Sequence, residues 1–288
     1  MTIHVVQPDE TVASIAQQYG VDPRRLQEDN EVSENGALAV GQTLVLRFPA
    51  AVHAVSAGEM LYSIAQSHGL TVRRLYQNNW PLGGQPQLSP GQTLVLSYLD
   101  EPTDQAAFNG YAYPFIDPAL LDAAVSYLTY LTPFTYGITA AGGLFPLEDD
   151  ALLRASRSHG ARPVLHLSTY TENDQFDAHR AELVLTDLEV QANLIAQVQE
   201  LLRYKGFAGV DVDFEYLPAA LAQSYAAFLD RLRRVLGPQG YFVWAALAPK
   251  TTSRQRGLLY EAHDYAAIGA AVDAALIMTY EWGYTYRL

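Results

Sequence analysis

The 288-residue sequence contains no cysteine, which excludes disulfide staples, thiolate nucleophiles and thiolate metal ligands. It has no run of about 20 apolar residues, so no segment reads as a membrane span. Cations are scarce: 18 Lys and Arg stand against 31 Asp and Glu, a net charge of −13. That balance argues against nucleic acid or an anionic membrane as partner. The opening residues M-T-I-H-V-V enter a folded pattern with no basic segment ahead of an apolar one, so synthesis in the cytoplasm without a signal peptide is expected. No G-x-G-x-x-G or G-x-x-x-x-G-K follows a strand-like run, and His159, His166, His179 and His263 lack ligand spacing. His4 and His53 read as strand-edge residues, and neither cofactor nor metal is expected. What is plentiful is apolar surface, 49% of residues, together with 19 Tyr. The first implies a globular chain with a large core, and the second suits a polyhydroxylated ligand.

Residues 3–48 and 52–98 repeat each other. His4-Val5-Val6 returns as His53-Ala54-Val55, and Ser14-Ile15-Ala16-Gln17 as Ser63-Ile64-Ala65-Gln66. Arg24-Arg25-Leu26 returns as Arg73-Arg74-Leu75, Asn30 as Asn79, and the G-Q-T-L-V-L at Gly41 as that at Gly91. Each copy reads strand, helix, helix, strand. Val12, Ile15, Ala16 and Tyr19 recur at helical intervals, Gly20 is placed for a C-cap, and G-Q-T-L-V-L supplies a turn and a closing strand. The pattern resembles the LysM domain, a βααβ module that binds glycans containing N-acetylglucosamine. The resemblance implies a groove between the loop after the first strand and the loop before the second. It would hold Asp9, Glu10, Thr11 and Asn30 in the first copy, and Gly58, Glu59, Met60, Asn79 and Trp80 in the second. The blander reading is that the asparagines cap helices and Trp80 packs. Two weak sites on the short connection 48–52 can still hold a polymer strongly through effective concentration.

The remainder is organised around residues 206–216, G-F-A-G-V-D-V-D-F-E-Y. Alternation puts Asp211, Asp213 and Glu215 on one face of a strand and Val210, Val212 and Phe214 on the other. Carboxyls repeating every 6–7 Å or so cannot ionise independently in a partly buried site. Repulsion from Asp213 and desolvation therefore predict a raised pKa for Glu215, as general acid catalysis requires. On the residues alone, Asp213 and Glu215 read equally as an ordinary acid/base pair. A solvated acidic edge is the bland alternative, and helical patterns on both sides weigh against it.

After a polar linker at 99–106, strands are expected near 107–113, 130–138, 162–168, 209–215, 241–248 and 274–280. Helices are expected near 118–124, 147–159, 178–204, 218–236 and 262–271. Six strand–helix units suit a doubly wound sheet or a (β/α)8 barrel. A barrel places working residues at the C-terminal ends of strands, where Glu215, Tyr280 and Glu281 fall. Lys250 ends the fifth strand and is a further candidate for the cleft.

G-V-D-V-D-F-E is similar to the fourth-strand signature of family-18 glycoside hydrolases, D-G-x-D-x-D-x-E, and M-T-Y-E at 278–281 to that family's sixth-strand motif. F-N-G-Y-A-Y-P, L-T-P-F-T-Y-G, A-L-A-P-K and I-M-T-Y-E-W-G-Y resemble its spore-associated branch, whose members carry two LysM modules and act on cortex peptidoglycan as N-acetylglucosaminidases. The resemblance implies LysM modules at 1–48 and 52–98, followed from 107 by a (β/α)8 TIM-type barrel. It implies Glu215 as general acid, Asp213 orienting the substrate's 2-acetamido group, Tyr280 donating a hydrogen bond to that group, and Asp211 tuning the charge below. The acetamido oxygen would attack the anomeric carbon, a substrate-assisted retaining route that needs no second carboxylate. Glu281, Trp282, Met278, Tyr113 and Tyr136 are the expected substrate-binding residues. The implied partner is peptidoglycan or a chitin-like polymer, and the implied destination is the spore coat or cortex. Two departures stand out. Ala208 replaces the first Asp of the signature, and the 190 residues from 99 onward fall short of the roughly 250 of a typical barrel. About six of eight units are expected, leaving an unclosed barrel of low or absent activity. The competing reading is a catalytically inactive, LysM-anchored spore-coat or wall-binding protein.

Overall fold

The computed structural model describes residues 1–33, 35–82, 86–100, 105–171 and 176–279. Two compact units divide the chain, Met1–Ala107 with Pro118–Tyr127, and Phe108–Asp117 with Leu128–Leu288.

In the first unit the repeat becomes two βααβ modules. The first comprises β1 (Thr2–Val5), α1 (Val12–Tyr19), α2 (Pro23–Asp29) and β2 (Thr43–Leu46). The second comprises β3 (Pro49–Ala54), α3 (Leu61–Ser67), α4 (Val72–Asn78) and β4 (Thr93–Tyr98). In each, the two strands pair antiparallel. The expected helical face of α1 forms a core of Val12, Ile15 and Ala16 with Leu26, Leu44 and Leu46; the second module repeats it with Leu61, Ile64, Ala65, Leu75, Leu94 and Leu96. Thr11 and Ser14 form a capping box at the start of α1, and Gly20 ends the helix in the left-handed region at φ 67°.

After β5 (Asn109–Ala112) comes α5 (Pro118–Val125), which groups with the first unit. The second unit continues with β6 (Tyr130–Pro133), β7 (Tyr136–Gly137), α6 (Asp150–Ser158), β8 (Arg162–Pro163) and β9 (Leu165–Ser168). It then runs through α7 (Ala178–Thr186), α8 (Leu188–Lys205), β10 (Gly209–Asp213), α9 (Ala222–Leu236), β11 (Phe242–Leu247), α10 (Tyr265–Ala271) and β12 (Ala274–Ile277). The strands expected at 130–138 and 162–168 are each broken in two, and the helix expected at 178–204 is divided at Asp187.

Among the described residues the named strands of this unit pair in parallel and follow chain order, β5 with β6, β6 with β8, and then β7, β9, β10, β11 and β12 in succession; two isolated bridges, Ile138 with Leu144 and Tyr170 with Phe176, are antiparallel. A doubly wound sheet reverses direction at a switch point, whereas a barrel does not. The sheet is also rolled. Tyr130 on β6 meets Phe242 and Trp244 on β11, with ring centroids 5.5 and 4.9 Å apart, although β8, β9 and β10 intervene in the order. The Arg162 guanidinium lies over the Tyr130 and Phe242 rings at 5.7 and 5.8 Å. The architecture is a TIM-type α/β barrel.

Outside this interior, Val210, Val212 and Phe214 are fully buried with Leu194, Val198, Leu202, Phe228 and Leu232. Phe214 stacks on Tyr225 and Phe228 at 5.7 Å each. Full burial of such side chains contributes roughly 1.5–3 kcal/mol apiece, so the outward row of β10 anchors the strand. At Gly209 the fit is close: an added Cβ would lie 2.4 Å from the Phe242 carbonyl oxygen.

Candidate active site

Because the outward row of β10 is apolar and locked, the alternate row must face the barrel interior. Asp211 and Asp213 do so at 0% and 4% exposure. The strand ends at Asp213 rather than at Glu215 as expected; Glu215 is half-buried on the segment beyond, and Tyr216 follows at φ 55°. Neighbouring strands furnish the surroundings. Parallel register sets His166 of β9 beside Asp211 and Ser168 beside Asp213. Tyr111 of β5 donates its hydroxyl to Asp211 Oδ2. His166 Nε2 lies 3.6 Å from Asp213 Oδ2, and its Nδ1 lies 2.6 Å from Thr135 Oγ1, which donates to Ser168 Oγ at 2.9 Å.

The electrostatics follow from dryness. Burial pushes the Asp211 carboxyl up to about 6, with the Tyr111 hydrogen bond opposing the rise. Asp213 is pushed well above its ordinary range, first by burial and then by repulsion from Glu215 and Asp211. Burial also pulls His166 down to about 3, so it is neutral at physiological pH and supplies no cation to the acids. Both shifts favour the uncharged form of a carboxyl in this pair and couple the titration of one acid to the other. Asp211 and Asp213 thus carry the kind of upward shift that the sequence pattern predicts for acids crowded on one buried face. One oxygen of each, Asp211 Oδ1 and Asp213 Oδ1, is buried without a hydrogen-bond partner among the described residues. Such atoms are costly unless a ligand or a shared proton meets them.

Around the pair lies an aromatic ledge. Phe134 stacks on His166 at 4.8 Å and meets Tyr113 at 5.0 Å, and Tyr113 stacks on Phe115 at 5.0 Å. Tyr113 and Phe115 are exposed. Tyr113 is linked to Asp213 through Phe134 and His166. Tyr136 is not. Its ring is in the outer core at 2% exposure and its hydroxyl donates to Asp149 Oδ2 at 2.6 Å, so its assignment to substrate is corrected: it fills the layer between sheet and helices. Met278 follows β12, half-buried, with its amide donating to the Leu247 carbonyl. Tyr280, Glu281 and Trp282 lie outside the described residues. Lys250 does not enter the cleft; its Nζ donates to the carbonyls of Tyr260 and His263 at 3.1 and 2.9 Å.

The module residues are also sorted. Asn30 gives both amide protons to the carbonyls of Leu26 and Val45 and takes the Val45 amide on Oδ1, at 2.9, 2.9 and 2.6 Å. Asn79 makes the same three bonds to Leu75 and Val95 at 2.9, 2.8 and 2.7 Å. Both side chains are consumed internally, which corrects their placement as glycan contacts. Thr11 is occupied as an N-cap. Glu10 accepts from the Gln7 amide and meets His4 Nε2, both at 2.7 Å; Glu59 does likewise with Ser56 and His53 at 2.7 and 2.8 Å. Those bonds, the backbone one foremost, hold both glutamates below the usual carboxylate range. His4 and His53, expected as simple strand-edge residues, thus clasp the loop after the first strand. On that loop Asp9, Gly58 and Met60 face solvent, whereas Trp80 is half-buried and its carbonyl accepts the Tyr127 hydroxyl at 2.9 Å.

Among the described residues no His, Asp and Glu cluster could hold a metal ion, and no helix is long and apolar enough to cross a membrane. Two βααβ modules thus precede an α/β barrel that carries a buried acid pair at the C-terminal end of its fourth strand. The LysM domain profile matches residues 4–47 and 53–97, and that of Glycosyl hydrolases family 18 matches 160–285. The Cortical fragment-lytic enzyme of Bacillus subtilis (strain 168) is 37% identical over 99% of this chain and 67% of its own length. Its Bacillus anthracis namesake is 32% identical over 98% of this chain and 66% of its own length. The crystal structure of the Bacillus cereus spore cortex-lytic enzyme SleL superposes with a TM-score of 0.72 at 30% identity, covering 98% of this chain and 66% of that one. The chain belongs to the family-18 glycosyl hydrolases that carry LysM domains, and it spans about two thirds of the length of the relatives it matches.

Proposed function

We propose that the chain is a glycoside hydrolase that cleaves N-acetylglucosamine linkages of spore cortex peptidoglycan, with its LysM modules holding the polymer. The observation that carries the reading is the dry Asp211–Asp213 pair, each with one oxygen unpartnered among the described residues, on the strand that leads to Glu215. In this reading Glu215 delivers a proton to the glycosidic oxygen as the bond from C1 to that oxygen breaks. The acetamido carbonyl oxygen forms the new bond to C1, giving an oxazolinium. Asp213 accepts the acetamido N–H and steadies the positive charge that develops there. The carboxylate left on Glu215 then takes a proton from water, whose oxygen attacks C1 and returns the acetamido group. Asp211 holds the charge of the pair, and Tyr280 donates to the acetamido group. Tyr113 and its aromatic neighbours provide a ledge for a sugar ring.

The same proposal assigns 1–48 and 52–98 to the modules, 99–106 to the linker and 107–288 to the hydrolase part, with synthesis in the cytoplasm and deposition at the coat or cortex. The intact row of three acids weighs against a catalytically silent wall-binding protein. Glu215→Gln is expected to abolish turnover of a chromogenic N-acetylglucosaminide while leaving sedimentation with peptidoglycan unchanged. Equal turnover by the two proteins would remove Glu215 from the role.

A further inference from the structure

The β10 ladder stops at Asp213, so the residues that carry the acid outward are not positioned by strand pairing. A buried histidine takes over there. His263 is 1% exposed and lies just before Asp264, whose side chain caps α10. Its Nδ1 accepts the Ala248 amide proton at 3.0 Å, and its Nε2 lies 3.0 Å from the Phe214 carbonyl oxygen. Since Nδ1 is an acceptor, the ring hydrogen sits on Nε2 and is donated to Phe214. One imidazole thereby ties the end of β10 to the end of β11, one peptide unit ahead of Glu215.

We infer that His263 is a positioning residue for Glu215, aiming the acid by fixing the peptide that leads into it. The inference rests on the reading of Glu215 as the proton donor. Two further observations support it. The Phe214 side chain is immobilised between Tyr225 and Phe228, so the direction of its carbonyl governs where the next residue departs. The histidine is itself held: Lys250 Nζ donates to its carbonyl at 2.9 Å, and the Tyr265 hydroxyl donates to the Ala248 carbonyl at 2.5 Å. Burial and the nearby Lys250 keep the ring below its ordinary pKa, in the neutral form that the two bonds require.

The test compares His263→Leu and His263→Gln in the full 288-residue chain. The carboxamide of Gln has its oxygen and nitrogen spaced much like the two ring nitrogens, so it can accept from Ala248 and donate to Phe214. Misplacing a reacting group by about 1 Å costs on the order of a hundredfold in rate. The Leu variant is therefore expected to lose tenfold or more in kcat on a chromogenic N-acetylglucosaminide, by the same principle, with KM and peptidoglycan sedimentation unchanged. The Gln variant should recover most of that loss. Wild-type kcat in a folded Leu variant, a Gln variant no better than Leu, or a loss confined to KM would each overturn the inference. Should the Leu variant not fold, the Gln variant and nitrogen NMR of the wild-type imidazole decide: a hydrogen on Nδ1 would overturn it as well. Absence of turnover in the wild-type chain, with peptidoglycan still bound, would instead sink the reading of Glu215, and the inference would fall with it.

Discussion

Replacing Tyr111 by Phe deletes one hydroxyl and keeps the ring, which makes it a clean probe of the acid pair. The hydroxyl donates to Asp211 Oδ2, and Asp211 is fully buried. A hydrogen bond to a charged group contributes roughly 1.5–3 kcal/mol, against about 1 kcal/mol for a neutral one. The difference of about 0.5–2 kcal/mol corresponds to approximately one pH unit, at about 1.4 kcal/mol each. Asp211, now at about 6, should therefore titrate roughly one pH unit higher in Tyr111→Phe. The sign for stability follows from the upward shift. With a folded pKa above its ordinary 3.8, Asp211 contributes stability that is full below that value and is lost as pH rises through about 6, roughly 3 kcal/mol in all. In the variant the loss continues to higher pH, so the substitution should cost more at pH 8 than at pH 5. Carboxyl carbon NMR of Asp211 reads the midpoint directly; because Asp213 is coupled to it, the lower midpoint of the pair is the one to follow. Thermal denaturation at the two pH values reads the second effect. An unchanged or lowered midpoint, or an equal destabilisation at both pH values, would refute the reasoning.

Asn79→Ala removes three buried bonds and strands the Val95 amide and carbonyl, at a cost of about 2–4 kcal/mol; hydrogen exchange at Val95 should quicken while that at Val45 in the other module stays unchanged. Lys205→Met takes the cation from Asp149, a fully buried carboxylate otherwise held by Tyr136, and should cost roughly 3–5 kcal/mol in thermal denaturation. Tyr136→Phe, which removes one neutral donor from the same carboxylate, should cost less, about 1–3 kcal/mol, and leave glycan turnover intact because the ring lies outside the barrel interior.

Where periodicity speaks, the sequence was legible. The period of two in V-D-V-D-F placed both faces of β10, and helical spacing placed the core of α1 down to its Gly20 cap. The missed breaks had local causes. Pro133 and Pro163 end β6 and β8, where a residue without an N–H cannot donate to a ladder. Asp187 caps α8 through the amides of Glu189 and Val190, dividing what hydrophobic spacing alone reads as one long helix. The site beyond the acids had weaker signals. His166 and Ser168 share a face by the same alternation as the aspartates, but a search for metal spacing passes over them. Tyr111 and His263 carry no local sign at all, since they lie 100 and 49 residues in sequence from the groups they contact. Recurrence of Asn30 as Asn79 marked a constrained position without saying that the constraint was internal.

The carboxamides of Asn30 and Asn79 dock on both polar groups of a strand residue that, among the described residues, has one partner strand on its other side. In effect each asparagine impersonates the backbone of a third strand. A two-stranded ribbon with a bare flank invites the same ribbon of another chain to zip alongside, and the hazard grows when many copies crowd onto one polymer. With the amide and carbonyl of Val45 and of Val95 already taken, that flank offers an incoming strand fewer backbone groups to pair with.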